Sequence, residues 1–360
     1  MIESSKFGDD IQANERLVSG SRVILCTISM LSTDRIRGFT ELVPVQTVIV
    51  DEASQIEVGD YLPMLAMYKK SLRKIVFIGD DKQRGCYEGV MGSDEKKEIS
   101  ALTITPVSIV APYGQEGIQD LRSVFEWPHL MENSVFLDTQ CAFHLSLLPP
   151  SITLSSIDRM PTVIGDFISR HVYDSELRTE HKIHAPTCCR FVNVNNGEEV
   201  KRGVSWMVCP RAHLGRHMLK IVQNEGEVKA AVQIARRYFQ EGKNFRIITP
   251  YDAQRNAIED ALKAADIFWE NTVFNVDSFQ GNEEDHIIVS IVRTSGPGFM
   301  KNKRRTNVML SRSKKSMMIL THREFLQYWD VAKTLVGLFA KEHVPKTGWV
   351  TLEDLAFRRW

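Results

Sequence analysis

The segment Val48-Ile49-Val50-Asp51-Glu52-Ala53-Ser54 decides the fold class of this chain. A second segment of the same kind follows it, Ile75-Val76-Phe77-Ile78-Gly79-Asp80-Asp81-Lys82-Gln83. Each segment begins with β-branched and aromatic residues and ends on polar ones, which is typical of a buried parallel strand with a site at its carboxyl end. We therefore predict two strands of one parallel sheet, ending at Asp51 and Asp80.

The polar residues that end these strands suit nucleotide hydrolysis. Asp51 can hold Mg²⁺ through water, and Glu52 can polarise the attacking water. Gln83 can sense the γ-phosphate of the bound nucleotide. An Asp-Glu pair after a single strand is also compatible with a solvated strand end. Two such strands in this order, with Gly-Asp-x-x-Gln on the second, favour the nucleotide site.

Further motifs follow in a fixed order along the chain. They are Arg159-Met160-Pro161 ahead of Phe167 and Tyr173, then Ile247-Ile248-Thr249-Pro250-Tyr251 ahead of Gln254, then Val276-Asp277-Ser278-Phe279-Gln280-Gly281-Asn282-Glu283, and finally Arg304-Arg305-Thr306-Asn307-Val308-Met309-Leu310-Ser311-Arg312. With the two strand ends, they resemble motifs II to VI of superfamily 1 helicases, and among these the Upf-type branch that acts in nonsense-mediated decay. The resemblance implies an α/β fold of two RecA-like P-loop NTPase domains, each a parallel sheet flanked by helices, with ATP between them.

The resemblance also implies roles for single residues. Arg159 and Arg312 would donate guanidinium groups to the γ-phosphate, because the planar fork of arginine pairs with phosphate oxygens. Glu283 would bind the ribose, with Gln280 and Gly281 beside it at the nucleotide. Taken singly, Arg159 could instead form a surface ion pair and Glu283 could be one more charge of an acidic cluster. Phosphates of single-stranded RNA or DNA would be bound by Thr27, Pro250, Tyr251 and Ser278.

Hydrophobic patterning predicts alternating strands and helices, as an α/β protein requires. We predict strands at residues 22–27, 245–249, 272–276, 285–292 and 316–320, and helices at residues 225–240, 253–265 and 306–314. These elements predict an incomplete first domain over residues 21–130 and a second domain over residues 131–345. Residues 1–20 are expected to be poorly ordered, and residues 346–360 to form a C-terminal tail.

Composition sets further bounds. The chain has 360 residues, which is long enough for two domains, and a formal net charge of zero. A balanced total still allows a local basic groove that binds nucleic acid. The sequence has neither a signal peptide nor an apolar run of spanning length, so we expect no membrane association and a cytoplasmic or nuclear protein. Its six cysteines lack metal-site spacing, which favours reduced thiols.

A GxxxxGK[ST] phosphate-binding loop is missing from the 360 residues. Such a loop supplies the backbone amides and the lysine that hold the β-phosphate. We therefore expect the C-terminal part of an ATP-dependent helicase, with the loop in an upstream half, and little ATP hydrolase activity from this chain alone. The alternatives are a catalytically dead module that binds single-stranded nucleic acid, or a gene-model fragment with no independent function.

Three segments interrupt the resemblance, at residues 84–110, 141–158 and 208–223. Surface loops would explain them at little entropic cost. Translated introns are the interpretation that we favour, because excision of a GT…AG stretch from compatible codons restores the family residue at the first two junctions. We expect irregular, poorly packed excursions whose flanks meet, with Gln83 near Ala111, Gln140 near Arg159 and Met207 near Asn224.

Overall fold

The computed structural model describes residues 19–56, 58–80, 82–83, 124–126, 160–207 and 217–357. For residues 126, 201–207, 217–221 and 356–357 it describes the backbone alone. The described residues up to 126 belong to one compact unit, and those from 160 onward belong to a second. The first and second inserts, at residues 84–110 and 141–158, and Arg159 lie outside the described residues.

The first unit is built on a pair of parallel strands. Strands β1 (Thr47–Val50) and β2 (Lys74–Phe77) pair in register from Thr47 with Lys74 to Val50 with Phe77. Helices α1 (Ile28–Leu31), α2 (Asp34–Leu42) and α3 (Leu62–Tyr68) accompany them. The prediction of two neighbouring parallel strands leading to Asp51 and Asp80 is confirmed. The core of the unit is formed by Leu31, Ile36, Val48, Val50, Ala53, Tyr61, Met64, Tyr68 and Val124.

Residues 22–27 do not form the strand that their sequence predicts. A strand needs a neighbour with which to exchange backbone hydrogen bonds, and in the described part of the first unit β1 and β2 pair only with each other. Val23 is 75% exposed and Leu25 is 92% exposed. The segment instead ends as the cap of α1, where Thr27 Oγ1 accepts a hydrogen bond from Met30 N at 3.1 Å.

The second unit is built on a six-stranded sheet that comprises β3 (Cys189–Asn193), β6 (Phe245–Thr249), β7 (Val273–Asn275), β8 (Glu284–Ser290), β9 (Ser313–Thr321) and β10 (Trp349–Thr351). The strands lie in the order β10-β3-β9-β8-β6-β7, and all adjacent strands are parallel. Its helices are α4 (Thr162–Val172), α5 (Glu225–Gln240), α6 (Asp252–Ala264), α7 (Lys303–Leu310), α8 (Leu335–Thr347) and α9 (Leu352–Phe357). A separate hairpin comprises β4 (Glu199–Met207) and β5 (His217–Asn224).

Both faces of the six-stranded sheet are buried. On one face, Ile287 and Val289 pack in a cluster with Phe167 of α4, Val308 of α7 and Phe339 of α8. The other face packs against α5 and α6, in a cluster that holds Ile247, Ile288, Ile234 and Ile258. Burial on two sides explains why β6, β8 and β9 each contain a continuous apolar run in their second half, such as Ile287-Ile288-Val289 of β8. A parallel sheet with helices on both faces is the α/β, RecA-like arrangement that the sequence predicts.

Most predicted elements of the second unit are present with small shifts at their ends. Helix α5 and strand β6 have the predicted bounds. The predicted helix 306–314 is corrected, because α7 starts at Lys303 behind the Asn302 cap and ends at Leu310, and Ser313 already belongs to β9. Residues 349–357 are not a tail, because β10 pairs with β3. No helix in the described ranges is long and apolar enough to cross a membrane.

The third insert contradicts part of the expectation for it. Within residues 208–223, the part from His217 onward is strand β5, which pairs antiparallel with β4. Met207 pairs with His217 and Asn224 pairs with Glu199, so Met207 and Asn224 lie at opposite ends of the hairpin. Gln223 also donates from Nε2 to the carbonyl of Ala253 at 3.0 Å. The expected irregular excursion with meeting flanks is therefore wrong for this insert, since the hairpin satisfies its own backbone hydrogen bonds.

Candidate nucleotide and nucleic-acid sites

The carboxyl ends of β1 and β2 are joined by backbone hydrogen bonds. Ile78 N donates to the carbonyl of Val50 at 2.8 Å, and Ala53 N donates to the carbonyl of Ile78 at 2.8 Å. The segment that follows β1 is thus hydrogen-bonded to the segment that follows β2 within three residues of the end of β1. This pairing brings the Asp51-Glu52 turn and the segment from Gly79 to Gln83 to one edge of the first unit.

The Asp51-Glu52 turn has an unusual backbone. Glu52 has φ 53°, in the left-handed region that non-glycine residues rarely occupy. Glu52 N donates to Asp51 Oδ1 at 3.0 Å, and Gln55 Nε2 donates to Glu52 Oε2 at 2.9 Å. Asp51 is exposed and Glu52 is half-buried. The turn therefore presents two adjacent carboxylates at the strand end, each fixed by a hydrogen bond.

Gln83 is held against the end of β2. It is 7% exposed, and its Nε2 donates to Asp80 Oδ2 at 2.8 Å. The other oxygen of Asp80 accepts a hydrogen bond from Lys82 N at 2.9 Å. Asp80 therefore fixes both the loop and the amide that the sequence assigns to γ-phosphate sensing.

Glycine at position 79 permits this close approach. A Cβ at Gly79 would lie 2.9 Å from Ser54 N and 2.9 Å from Phe125 Cε2, well inside van der Waals contact. Any side chain there would separate the two strand ends. The glycine of the Gly-Asp-x-x-Gln segment thus has a packing reason in addition to its place in a motif.

The donor set at this edge fits Mg²⁺. Within the described ranges no group of three or more His, Cys, Asp or Glu side chains could form a closed metal cage. Mg²⁺ bound with nucleotides uses one or two carboxylates and completes its shell with water and phosphate oxygens. Asp51 is an exposed carboxylate of this kind and would hold the ion beside ATP. When bound, the ion would neutralise charge on the phosphates.

Arg312 lies in the second unit, at the end of its sheet where strands β8 and β9 begin. Glu284 N donates to the carbonyl of Arg312 at 3.1 Å, and Arg312 Nη1 lies 3.5 Å from the carbonyl of Asn282. The arginine is 2% exposed, and its Nε and Nη2 donate to Val308 O and Ser311 Oγ, each at 2.8 Å. Arg312 therefore lies beside the turn that contains Glu283, and the predicted contacts of both residues with a nucleotide stay predictions.

Glu283 forms an ion pair that the sequence did not predict. Its Oε1 lies 2.9 Å from Lys314 Nζ, with both side chains about three-quarters buried. Nearby, both polar side-chain atoms of Gln280 are buried without a hydrogen-bond partner among the described residues. Gly281 has φ 77°, which favours glycine. Gln280, Gly281 and Glu283 thus line one turn ahead of β8, next to Arg312.

The predicted nucleic-acid residues of the second unit follow the carboxyl ends of β6 and β7. Tyr251 is only partly exposed, and its hydroxyl lies 3.4 Å from Phe299 N. Burial raises the pKa of Tyr251, while the neighbouring Arg293 lowers it. The hydroxyl therefore forms its hydrogen bonds within the unit, and Tyr251 supports the loop that contains Arg293 and Phe299.

Ser278 and Pro250 share a contact with Asn275. Ser278 is exposed and donates from Oγ to the carbonyl of Asn275 at 2.9 Å. Asn275 Nδ2 lies 3.5 Å from the carbonyl of Pro250. Next to Ser278, the carboxylate of Asp277 pairs with both Nε and Nη2 of Arg305. These contacts place Pro250 and Ser278 at the β6–β7 end of the sheet.

The structure thus groups the predicted residues of the described chain into three places. Asp51, Glu52 and Gln83 lie at the carboxyl ends of β1 and β2. The nucleotide residues of the second unit lie ahead of β8 and β9, and its nucleic-acid residues follow β6 and β7, at the other edge of the sheet. Thr27 caps α1 in the first unit.

Sequence reasoning missed two buried polar groups. In one, the Glu199 carboxylate pairs with Arg293, with 2.9 Å between Oε2 and Nε, and accepts hydrogen bonds from Thr294 N and Ser295 Oγ. Burial raises the pKa of Glu199, but these bonds outweigh it and leave the pKa below its usual value. The other comprises Asn224, Glu227, Gln254 and Ser290. The sequence signal that could have indicated this second group is a polar residue at the end of an apolar run, such as Ser290.

Comparison with known families agrees with this architecture. A model described as an AAA domain matches residues 129–324, more than half of the chain. The chain belongs to the AAA domain family. A second model of the same description matches residues 3–83, which include Asp51, Glu52 and Gln83.

Several of the similar curated proteins are named helicases. Probable helicase senataxin of Homo sapiens is 26% identical over 87% of this chain, and the chain spans 11% of its length. ATP-dependent helicase upf1 of Schizosaccharomyces pombe is 24% identical over 86% of this chain, which spans 29% of it. DNA polymerase alpha-associated DNA helicase A of Saccharomyces cerevisiae is 25% identical over 86%, with 44% of its length spanned. This member of the AAA domain family is thus similar to proteins named helicases, and it spans less than half the length of each of these three.

Proposed function

We propose that this chain is the C-terminal part of an ATP-dependent, Upf-type helicase that moves along single-stranded RNA or DNA. ATP with Mg²⁺ is the cofactor, and hydrolysis drives translocation by changing the conformation of the two RecA-like domains. The chain on its own hydrolyses little ATP, because the phosphate-binding loop belongs to an upstream half. The expected location is the cytoplasm or the nucleus.

One observation carries this proposal. Two adjacent carboxylates and an oriented glutamine amide lie at the joined ends of two parallel strands, where nucleotide chemistry is expected. In the proposed mechanism Asp51 would hold Mg²⁺, Glu52 would take the proton of the attacking water, and Gln83 would contact the γ-phosphate. Arg159 and Arg312 stabilise the charge that develops on the phosphate in the transition state.

The proposed ribose contact requires a change of partner. Glu283 is paired with Lys314, so binding a ribose hydroxyl would weaken or replace that pair. Gln280 has a buried amide without a partner among the described residues. Such an amide destabilises the folded chain unless a ligand or a water molecule forms hydrogen bonds with it. Both features support a nucleotide at the turn ahead of β8.

The second candidate function is a nucleic-acid-binding module without catalysis. The absence of GxxxxGK[ST] from the 360 residues favours it. In that case Pro250, Tyr251 and Ser278 would still bind the sugar-phosphate backbone of a single strand, without reading bases.

Turnover and binding assays on this chain separate the two candidates from a chain without function. ATP turnover should equal that of a Glu52→Gln variant, with or without single-stranded RNA. Single-stranded RNA or DNA should bind weakly, with little base preference and a steep loss of affinity as salt rises. Turnover clearly above the variant would refute the missing-loop account, and binding that withstands high salt would refute the backbone-contact account.

A further inference from the structure

Four polar side chains are buried together where β8 ends and where α5 and α6 begin. Asn224 is 1% exposed, and Glu227, Gln254 and Ser290 are 0% exposed. Burying a polar group is costly unless hydrogen bonds satisfy it. None of the four belongs to the residues proposed to contact ATP or nucleic acid, so their burial calls for another explanation.

Glu227 holds the turn that follows β8. Its Oε2 accepts hydrogen bonds from Ser290 Oγ at 2.6 Å and from Val292 N at 2.9 Å. Val292 has φ 72°, a conformation that is strained for a β-branched residue. A strained turn persists only where its surroundings impose it, and the carboxyl of Glu227 supplies part of that constraint.

The same cluster reaches the start of α6. Asn224 N donates to Gln254 Oε1 at 2.8 Å, and Gln254 Nε2 donates to the carbonyl of Asn224 and to Ser290 Oγ, each at 3.1 Å. Asn224 Nδ2 also donates to the carbonyl of Val292 at 3.1 Å. Gln254 follows Pro250-Tyr251 by three residues. The turn after β8 and the turn after β6 are therefore tied to one another through Asn224 and Gln254.

Tyr251 rests on the turn that Glu227 holds. Arg293, the residue after Val292, forms the buried pair with Glu199 and is hydrogen-bonded to Tyr251. A Cβ at Gly298, in the same loop, would lie 2.8 Å from the Tyr251 hydroxyl. A displacement of Val292 would pass directly to Arg293 and from there to Tyr251.

We propose that Glu227 is a positioning residue for single-strand binding, holding the turn at residues 290–293 in the arrangement that supports Tyr251. This rests on the proposed function, in which the edge with Pro250 and Tyr251 binds the strand. Burial raises the pKa of Glu227 to about 8, against hydrogen bonds from Ser290, Val292 and Ile291. The carboxyl is therefore mostly neutral at pH 7, and a glutamine can take its place.

The test compares three variants of the full chain by fluorescence anisotropy with labelled oligo(U) and oligo(dT). Glu227→Gln keeps a neutral acceptor for Ser290 and Val292. Glu227→Leu keeps the volume and removes the acceptor. His343→Leu is the matched control, because His343 is 2% exposed and its Nε2 lies 2.8 Å from the carbonyl of Cys189, at the other edge of the sheet. Urea unfolding sets conditions in which all proteins are folded.

Glu227→Leu should weaken binding by about tenfold or more, because two buried donors lose their acceptor. Glu227→Gln and His343→Leu should stay within about twofold of the wild type, a change of about 0.4 kcal/mol. Equal affinity of Glu227→Leu and wild type would overturn the inference, and so would an equal loss in Glu227→Gln or in His343→Leu.

Two further outcomes are distinguishable. If the wild-type chain binds neither oligonucleotide, the proposed strand-binding function fails and the inference fails with it. If Glu227→Leu does not fold, Ser290→Ala is the second variant, since it removes one donor to the carboxyl at little change in volume. An affinity about threefold weaker is then expected for the loss of part of one buried hydrogen bond, and an unchanged affinity overturns the inference.

Discussion

Arg312 donates a hydrogen bond from Nε to the carbonyl of Val308, one helical turn earlier in the chain, at 2.8 Å. With Ser311 Oγ accepting from Nη2 at 2.8 Å, the guanidinium lies against the end of α7, which precedes it in the chain, and is nearly inaccessible. Bonds between a guanidinium and phosphate are charge-assisted and stronger than those to neutral acceptors. A γ-phosphate could therefore draw Arg312 out of this position, and nucleotide binding would reorganise the end of α7.

Replacing Arg312 should destabilise the second unit even without nucleotide. Arg312→Ala should lower the free energy of unfolding by about 2–4 kcal/mol, because it leaves a cavity and removes donors from Val308 O and Ser311 Oγ. Arg312→Met, which fills more of the volume, should cost less. Arg323→Ala is the control, since Arg323 is exposed, and it should stay within about 0.5 kcal/mol of the wild type. Urea unfolding measures all three, and an Arg312→Ala midpoint equal to that of the control would contradict the burial.

Catalysis by the two arginines can be tested once the upstream half is supplied and the first two inserts are removed, while the third is kept because it contains β5. Arg312→Ala and Arg159→Ala should each slow ATP hydrolysis by about 10³-fold or more, the magnitude of an arginine finger. ATP affinity, measured by equilibrium binding, should change far less, because the contact is formed mainly in the transition state. Near-normal turnover in either variant would remove that arginine from the proposed mechanism.

Stability should depend on pH through Glu227. Its pKa is about 8 in the folded chain against an ordinary value of 4.5, because burial disfavours the charged form. Its contribution is thus fully present below about pH 4.5 and is lost as the pH rises toward 8, by at most about 1.4 kcal/mol per unit. Glu227→Gln removes this titration. Of the groups that contact the carboxyl, Ser290, Val292 N and Ile291 N, none titrates in this range.

Urea unfolding of the wild type and of Glu227→Gln between pH 5 and pH 8 checks this. The free energy of unfolding of the wild type should fall relative to that of the variant as the pH rises. Other titrating groups cancel in the difference, since both proteins share them. A difference that stays constant across the range would mean that Glu227 keeps an ordinary pKa.

Gly79 should not tolerate a side chain. Gly79→Ala should destabilise the first unit by about 1–3 kcal/mol, because the new Cβ would crowd Ser54 N and Phe125. Gly38 supplies the matched control: it lies in α2 with nothing within 4 Å of an added Cβ. Gly38→Ala should therefore stabilise by about 0.5–1 kcal/mol. Thermal unfolding compares the two, and equal shifts in Tm would show that the two strand ends do not need the glycine.

Local signals explain which elements of the fold were predictable. Helix α5 has an Asn224 cap and acidic residues in its first turn, so four consecutive residues predict where it starts. Strand β6 is a short apolar run between polar residues. Residues 22–27 have a similar pattern but form no strand, because pairing depends on a neighbour that the segment does not contain.

The buried polar clusters needed tertiary information. Glu227 reads as a first-turn acid of an amphipathic helix, yet its partner Ser290 is 63 residues away. Arg312 was predicted from motif order to contact the γ-phosphate, which stays a prediction, and its inward hydrogen bonds depend on how α7 ends. Tyr251 was predicted to contact a nucleic-acid strand, and its contacts with Arg293 and Phe299 could not be inferred from spacing. The roles of Asp51, Glu52 and Gln83 remain predictions.

The central claim is that Asp51 and Glu52 perform nucleotide hydrolysis once a phosphate-binding loop is supplied. The direct measurement is ATP turnover, with and without single-stranded RNA, of this chain joined to its upstream coding sequence and freed of the first two inserts, residues 84–110 and 141–158. Turnover should be stimulated by RNA and should fall by about 10²-fold or more in Glu52→Gln, the scale of general-base catalysis. Asp60→Asn, at an exposed acid of the same unit, should leave turnover unchanged. Turnover that persists in Glu52→Gln, or that is absent from a joined protein containing an intact loop, would contradict the account.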